Sequence, residues 1–133
     1  MNDRRGLAVS HSYKDLIVWQ ESKSLASALY RATANFPKTE CYGLTAQIRR
    51  AGVSVASNIA EGQGRLTRGE FLQFLGHARG SLLELQTQLE IAEDLSYLSN
   101  LEHRNLEDHC AQVLRLLNGL IDSLGNRAKA ASG

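Results

Sequence analysis

Apolar residues recur along this chain at alternating steps of three and four, in four blocks separated by short polar, glycine-bearing or proline-bearing stretches. That alternation keeps one face turned towards a neighbour and predicts amphipathic helices. The first block spans about Lys14 to Asn35, with a seam of Val18, Ser22, Leu25, Leu29 and Ala32, and Phe36 just past its end. Trp19, Ala26 and Tyr30 widen that face on one side. Pro37 stops the helix, because the residue before a proline is pushed out of the α region. The second block, about Thr45 to Glu61, has the seam Leu44, Ile48, Ala51, Val55 and Ile59. A short turn from Glu40 to Gly43 leads in, Thr45 is placed to cap, and Gly62 and Gly64 end the helix.

Thr67 and Glu70 form a T-x-x-E capping box ahead of the third block. Its seam is nearly unbroken to about Leu95: Phe71, Leu75, Ala78, Leu82, Leu85, Leu89 and Ala92. The fourth block opens on Asn100 as N-cap and follows Leu106, Cys110, Val113, Leu117, Leu120 and Leu124, with Gly125 as its stop. The one β-branched cluster, Val53 to Val55, sits within the helical period, so no strand competes. Connections this short make neighbouring helices antiparallel. The expected fold is all-α: an up-down-up-down four-helix bundle over 13–126, preceded by a flexible arm at 1–12 and followed by a disordered tail at 127–133.

Composition agrees. A chain of 133 residues has room for one core-bearing domain. Aromatic residues are only 6%, and leucine and small residues favour helix over sheet. Cys41 and Cys110 have neither metal-site nor redox-motif spacing, and no apolar leader precedes them, so both thiols are expected free in a cytoplasmic setting. No stretch approaches the roughly 20 apolar residues that span a membrane.

The net charge of +1 does not advertise nucleic-acid binding, but its distribution is uneven. Residues 41–68 carry Arg49, Arg50, Arg65 and Arg68 against Glu61, a net +3, while residues 84–108 carry a net −6. Such asymmetry can steer a charged partner or bring subunits together, and it can also be no more than solvated helix faces.

The third helix has more apolar surface than a bundle requires. Leu72, Gly76, Gly80, Leu83 and Thr87 fall in one narrow arc away from its seam. A glycine inside a helix costs roughly 1 kcal/mol relative to alanine, so two of them four residues apart suggest the close approach of another backbone. The second helix has its own small face: Ala46, Val53, Ala56 and Ala60. Both read as oligomer-interface candidates. The alternative is tight packing of these two helices within one chain.

Motifs for chemistry are missing: there is no HExxH, no phosphate loop and no nucleophile elbow. His103 and His109 are six apart, and the fourth helix lacks the Glu-x-x-His of a bundle metal site, so the histidines are expected to face solvent. No catalytic residue, metal or cofactor is expected. Gln47, Ser54, Asn58 and Glu61 form a polar stripe along the second helix. It reads as an inter-helix hydrogen-bond network, a pore or interface lining, or a small-ligand or enzyme site. Arg49, Arg50, Arg65 and Arg68 are candidates for nucleic-acid phosphates, marginal in number for one chain but a ring if repeated around an oligomer.

Several runs carry a family likeness: Leu16-Ile17-Val18-Trp19-Gln20, Phe36 through Leu44, Gln47-Ile48-Arg49-Arg50-Ala51, Asn58-Ile59-Ala60-Glu61-Gly62 and Ala78 through Leu85. Over about 13–98 the chain resembles the bacterial four-helix-bundle proteins first noted as open reading frames in intervening sequences of large-subunit ribosomal RNA genes. That family includes the accessory variability determinant of diversity-generating retroelements, which binds a reverse transcriptase and RNA or DNA through basic surfaces. The resemblance implies a barrel-like homopentamer with a central channel and no established catalytic activity. The expected function is a non-enzymatic, homo-oligomeric binding or scaffold protein contacting ribosomal RNA or other nucleic acid. The alternative is assembly with a protein partner through the acidic surface of the third and fourth helices. A ligand or enzyme site on the polar stripe ranks below both.

Overall fold

The computed structural model describes residues 12–132, with side chains over 12–14 and 16–126; the expected arm, apart from Ser12, lies outside the described residues. Four helices follow in order: α1 (Ile17–Thr33), α2 (Leu44–Gln63), α3 (Arg68–Asp94) and α4 (Asn100–Ser132), with 3-10 turns at Tyr13–Asp15 and Lys38–Glu40. Each packs on its two neighbours around a ring, α1 on α2, α2 on α3, α3 on α4 and α4 on α1, and the diagonal pairs make no close backbone contact. With connections of a few residues, this ring is the antiparallel four-helix bundle that the seams predict.

The core is those seams. Leu25, Leu29, Ile48, Val55, Ile59, Leu75, Leu82, Leu85, Val113 and Leu117 are wholly buried. Burial of each such side chain contributes roughly 1.5–3 kcal/mol, which is why the periodicity governs the fold. The polar members of the α1 seam are satisfied locally: Ser22 Oγ donates to the Val18 carbonyl at 2.7 Å and Thr33 Oγ1 to the Leu29 carbonyl at 2.8 Å. Thr33, not Ala32, completes that seam.

The helix ends depart from expectation in instructive ways. Thr45 is buried one residue inside α2 and does not cap it. Glu40 does: its Oε1 accepts from Leu44 N at 3.0 Å. A Cβ on Gly43 would lie 2.6 Å from that oxygen, so glycine leaves room for the carboxylate. Glu40 Oε2 also accepts from the Tyr97 hydroxyl at 3.0 Å, tying the α1–α2 turn to the segment after α3, where Tyr97 packs on Phe36. That hydrogen bond to a carboxylate raises the Tyr97 phenol above its usual pKa. At α3, Thr67 Oγ1 accepts from Glu70 N at 3.1 Å as expected, but also contacts the Glu70 carboxylate at 3.1 Å. At α4 the cap is Ser99, not Asn100: Ser99 Oγ accepts from Glu102 N at 3.1 Å and Glu102 Oε1 from Ser99 N at 2.8 Å. This is the reciprocal S-x-x-E box, which satisfies two backbone donors where asparagine would satisfy one.

Helix ends without proline behave differently again. Gly64 closes α2 in right-handed geometry, not left-handed. The left-handed residue lies after α3 and is Ser96, at φ 63. Ser96 N donates to Glu93 O and Tyr97 N to Ala92 O, both at 2.9 Å, a Schellman closure. Finally, α4 runs through Gly125 to Ser132, past the expected stop and over the stretch expected to be a disordered tail. A single glycine is a modest helix penalty, and the alanines and lysine that follow are strong helix formers.

Candidate functional site

Three features of the surface bear on function: the outward arc of α3, the small face of α2 with its polar stripe, and the facing ends of α3 and α4.

On α3, Gly76 and Gly80 are exposed, and a Cβ built on either would meet nothing within 4 Å. Leu83 is 51% exposed, Thr87 is exposed with its hydroxyl turned back to the Leu83 carbonyl at 3.1 Å, and Leu72 is partly buried against the core. Among the described residues, Gly76 and Gly80 therefore mediate no packing. The glycines that do are Gly52 and Gly62. A Cβ on Gly52 would lie 2.4 Å from Leu29 Cδ1, and one on Gly62 would lie 2.8 Å from Phe74 Cβ. Gly52 sits in the same heptad pattern as its neighbours, and nothing local to the sequence distinguishes it.

The small face of α2 opens outward in two places. Val53, Ala56 and Ala60, with Trp19, Ala26 and Tyr30 of α1, line an apolar groove of about 650 Å³. Tyr13 packs edge-on against Trp19 at its rim, with ring centroids 5.1 Å apart. Ala46 lies elsewhere, in a smaller hollow beside Tyr42, which is 97% exposed.

The polar stripe is brought together in part. Asn58 Nδ2 donates to the Ser54 carbonyl at 2.8 Å and to Ser54 Oγ at 3.0 Å, and Ser54 Oγ meets Ser81 Oγ of α3 at 2.9 Å. Gln47 and Arg50 join Ser54, Ser81 and Glu84 around a polar cleft of about 310 Å³ between α2 and α3. Glu61 stands apart and pairs with Arg65 at 2.9 Å. Among the described residues, no histidine lines this cleft.

The four arginines do not form one patch. Arg49 and Arg50 lie near the start of α2 and Arg65 and Arg68 beyond its end, roughly 20 Å apart at the helical rise. Arg49 is committed within the chain: Nε donates to Thr33 Oγ1 at 2.8 Å, a second nitrogen to the Tyr30 carbonyl at 3.2 Å, and the guanidinium lies over the Tyr30 ring. It thereby closes the C-terminal end of α1. Arg65 pairs with Glu61 and stacks on Phe74, 4.5 Å from the ring centre. Arg50 and Arg68 are exposed and, among the described residues, have no ion pair.

The histidines correct the expectation of solvent exposure. His103 is only 7% exposed. Its Nε2 lies 2.8 Å from Glu90 Oε2 and 3.8 Å from Glu107 Oε2, and its Nδ1 lies 3.4 Å from Glu93 Oε1. His109 is half-buried, 3.4 Å from Glu21 of α1. His77 is exposed against Phe74, and His11 lies outside the described residues. Three of the acidic residues expected to form an open acidic surface thus converge on one imidazole, and a fourth, Glu102, caps α4. Glu107 is pushed above the usual carboxylate range, chiefly by its hydrogen bond with Glu90. The sequence signal for this cluster was present as Glu90-x-x-Glu93 and His103-x-x-x-Glu107, each on one helix face. Only the hairpin turns the two faces together.

A family model described as 23S rRNA-intervening sequence protein matches residues 14–119. Among solved structures, this chain is similar to a 1.70 Å crystal structure of a protein with unknown function from the S23 ribosomal protein family of Bacteroides thetaiotaomicron VPI-5482. The TM-score is 0.72 at 22% identity, over 79% of this chain and 98% of that one, a likeness of fold. No curated protein matches. None of these matches indicates an enzyme family. Among the described residues, no helix is long and apolar enough to cross a membrane.

Proposed function

The chain belongs to the 23S rRNA-intervening sequence protein family, and from that premise we propose that it is a non-enzymatic scaffold that works by assembling with copies of itself into a ring, five-fold as its family resemblance implies. The observation that carries this reading is the open arc of α3. Two helix-interior glycines there have no neighbour within 4 Å of an added Cβ among the described residues, beside a half-exposed leucine. Inside one chain they are a penalty of about 1 kcal/mol each with nothing to offset it. Against another protomer they permit close backbone approach. The apolar groove between α1 and α2 is a second, different surface. Two different surfaces make a head-to-tail contact, which forms a ring where the rotation between protomers closes.

Nucleic-acid contact enters this reading through Arg50 and Arg68, the two of the four candidate arginines that are exposed and, among the described residues, have no ion pair, side-chain hydrogen bond or ring contact. Two per chain are few, but a ring multiplies them, and affinity for phosphates grows with the number of counterions released.

Light scattering on the purified chain tests the assembly. Gly80→Leu is expected to lower the mass to that of a protomer while leaving helix content unchanged. A wild-type chain that is monomeric at all concentrations would end the proposal, and full assembly of Gly80→Leu would remove Gly80 from the contact. Filter binding of structured RNA at low and moderate salt tests the second part; no retention at either salt would end it.

A further inference from the structure

The end of the α3–α4 hairpin has a feature that assembly does not use. Glu90 and Glu93 lie one turn apart on the last turns of α3, and His103 and Glu107 one turn apart on the first turns of α4. Glu90, Glu93 and His103 each offer one donor atom, and these atoms all lie within 4.8 Å of one another. Glu107 adds a fourth donor, 3.8 Å from His103 Nε2.

The imidazole points to a ligand more strongly than the carboxylates do. His103 is more than nine-tenths buried, and its Nε2 is a buried nitrogen with no hydrogen-bond partner, though Glu90 Oε2 lies 2.8 Å away. The oxygen is therefore out of line with the ring N–H. A histidine held simply as the cationic partner of a carboxylate would align that bond, since charge-assisted hydrogen bonds are strong and a buried donor left unmade is costly. A buried imidazole nitrogen crowded by carboxylate oxygens without donating to them is instead what a metal ligand looks like before the ion is added. Charge points the same way. Three carboxylates face one imidazole, and among the described residues no lysine or arginine forms an ion pair with any of the three. Even with His103 protonated, the cluster carries excess negative charge at the wall of the bundle.

We propose that Glu90, Glu93, His103 and Glu107 form a divalent-cation site, of the Zn²⁺ class, that clips α3 to α4. Ligands on one Zn²⁺ at about 2.0–2.2 Å lie no more than about 4 Å apart, so the 2.8 and 3.8 Å spacings around Nε2 need only small rotamer shifts. Imidazole with carboxylates suits a borderline first-row ion, whereas Mg²⁺ and Ca²⁺ favour oxygen alone. Glu90 and Glu107 are about half exposed, which leaves a route for the ion, while His103 is anchored from behind by the core. Because the ligands come in pairs from two helices joined by a five-residue turn, the bound ion is structural: it holds the hairpin end closed.

The test uses the full chain, tag-free and stripped of metal, titrated with Zn²⁺ in competition with a chromophoric chelator. One ion per chain is expected at micromolar affinity or tighter, with a rise in Tm that Mg²⁺ does not reproduce. Glu90→Gln and Glu93→Gln keep shape while weakening ligation, and each is expected to lower affinity at least tenfold. Cys41→Ser is expected to leave it unchanged, and Co²⁺ to give d–d absorption without a thiolate charge-transfer band. His103→Ala is expected to abolish binding; the two glutamine variants keep the question decidable if that variant does not fold. Absence of Zn²⁺ binding by the wild type would overturn the site. So would binding that the Glu90→Gln/Glu93→Gln double variant retains.

Discussion

Gly62 lies in the last turn of α2 and Gly76 in the interior of α3, and replacing each by alanine shows what packing does to a helical glycine. Each substitution gains helix propensity, about 1 kcal/mol in the interior at Gly76 and no more than that in the last turn at Gly62. They differ in surroundings. The new Cβ at 62 would lie 2.8 Å from Phe74 Cβ and 3.0 Å from Phe71 Cδ1, whereas at 76 it meets nothing within 4 Å. Carbon atoms pack best at about 3.5–4.0 Å, so α2 and α3 must part by several tenths of an ångström at Gly62. Overpacking of this kind costs about 1–3 kcal/mol. Gly76→Ala is therefore expected to stabilise the bundle by about 1 kcal/mol, and Gly62→Ala to be neutral or destabilising by up to about 2 kcal/mol. The propensity gain at Gly62 does not exceed that at Gly76, so the two variants differ by at least the overpacking cost of about 1–3 kcal/mol. Urea unfolding followed by circular dichroism reads this directly. With m near about 2 kcal/mol/M, the midpoints should separate by about 0.5–1.5 M. The experiment belongs at several protein concentrations, because association adds to apparent stability. Equal midpoint shifts for the two variants would refute the close approach of α2 and α3 at Gly62. A loss of stability in dilute Gly76→Ala would refute the open arc on which the assembly proposal stands.

Two further outcomes are expected. Ser96→Gly should raise stability by about 1 kcal/mol, since serine at φ 63 carries a steric penalty that glycine does not; a lower Tm in the variant would place Ser96 in some role other than closing α3. Near pH 8, a thiol reagent should titrate Cys41 at once and Cys110 only on unfolding, because Cys41 is exposed while burial, with some help from the Glu107 charge, pushes the Cys110 thiol up to about 12; two fast thiols in the folded chain would contradict the core placement of Cys110.

Helix number, seam positions and fold class were legible because each depends on periodicity along one segment. A residue such as Leu82 or Val113 is buried by where it falls on its own helix, whatever lies opposite. Capping was legible in part for the same reason. Thr67 serves as read, but Ser99 displaced Asn100 because a reciprocal pair with Glu102 satisfies more of the backbone, and Glu40 displaced Thr45 because a longer side chain can reach a helix start from outside it. The candidate site was read less well. Gly76 and Gly80 lie open on α3, whereas Gly52 and Gly62, which carry the intramolecular contacts, look no different in sequence.

By itself, then, the sequence determined which residues turn inward on each helix, since a 3.6-residue repeat is a property of one segment and burial of its apolar stripe follows wherever that segment docks. Only the tertiary structure decided what meets what. It spent Arg49 on the end of α1, separated the arginines into two pairs, and folded Glu90, Glu93 and Glu107 around a histidine expected to face water. Those outcomes depend on the rotation and offset of one helix against another, which no single helix's periodicity contains.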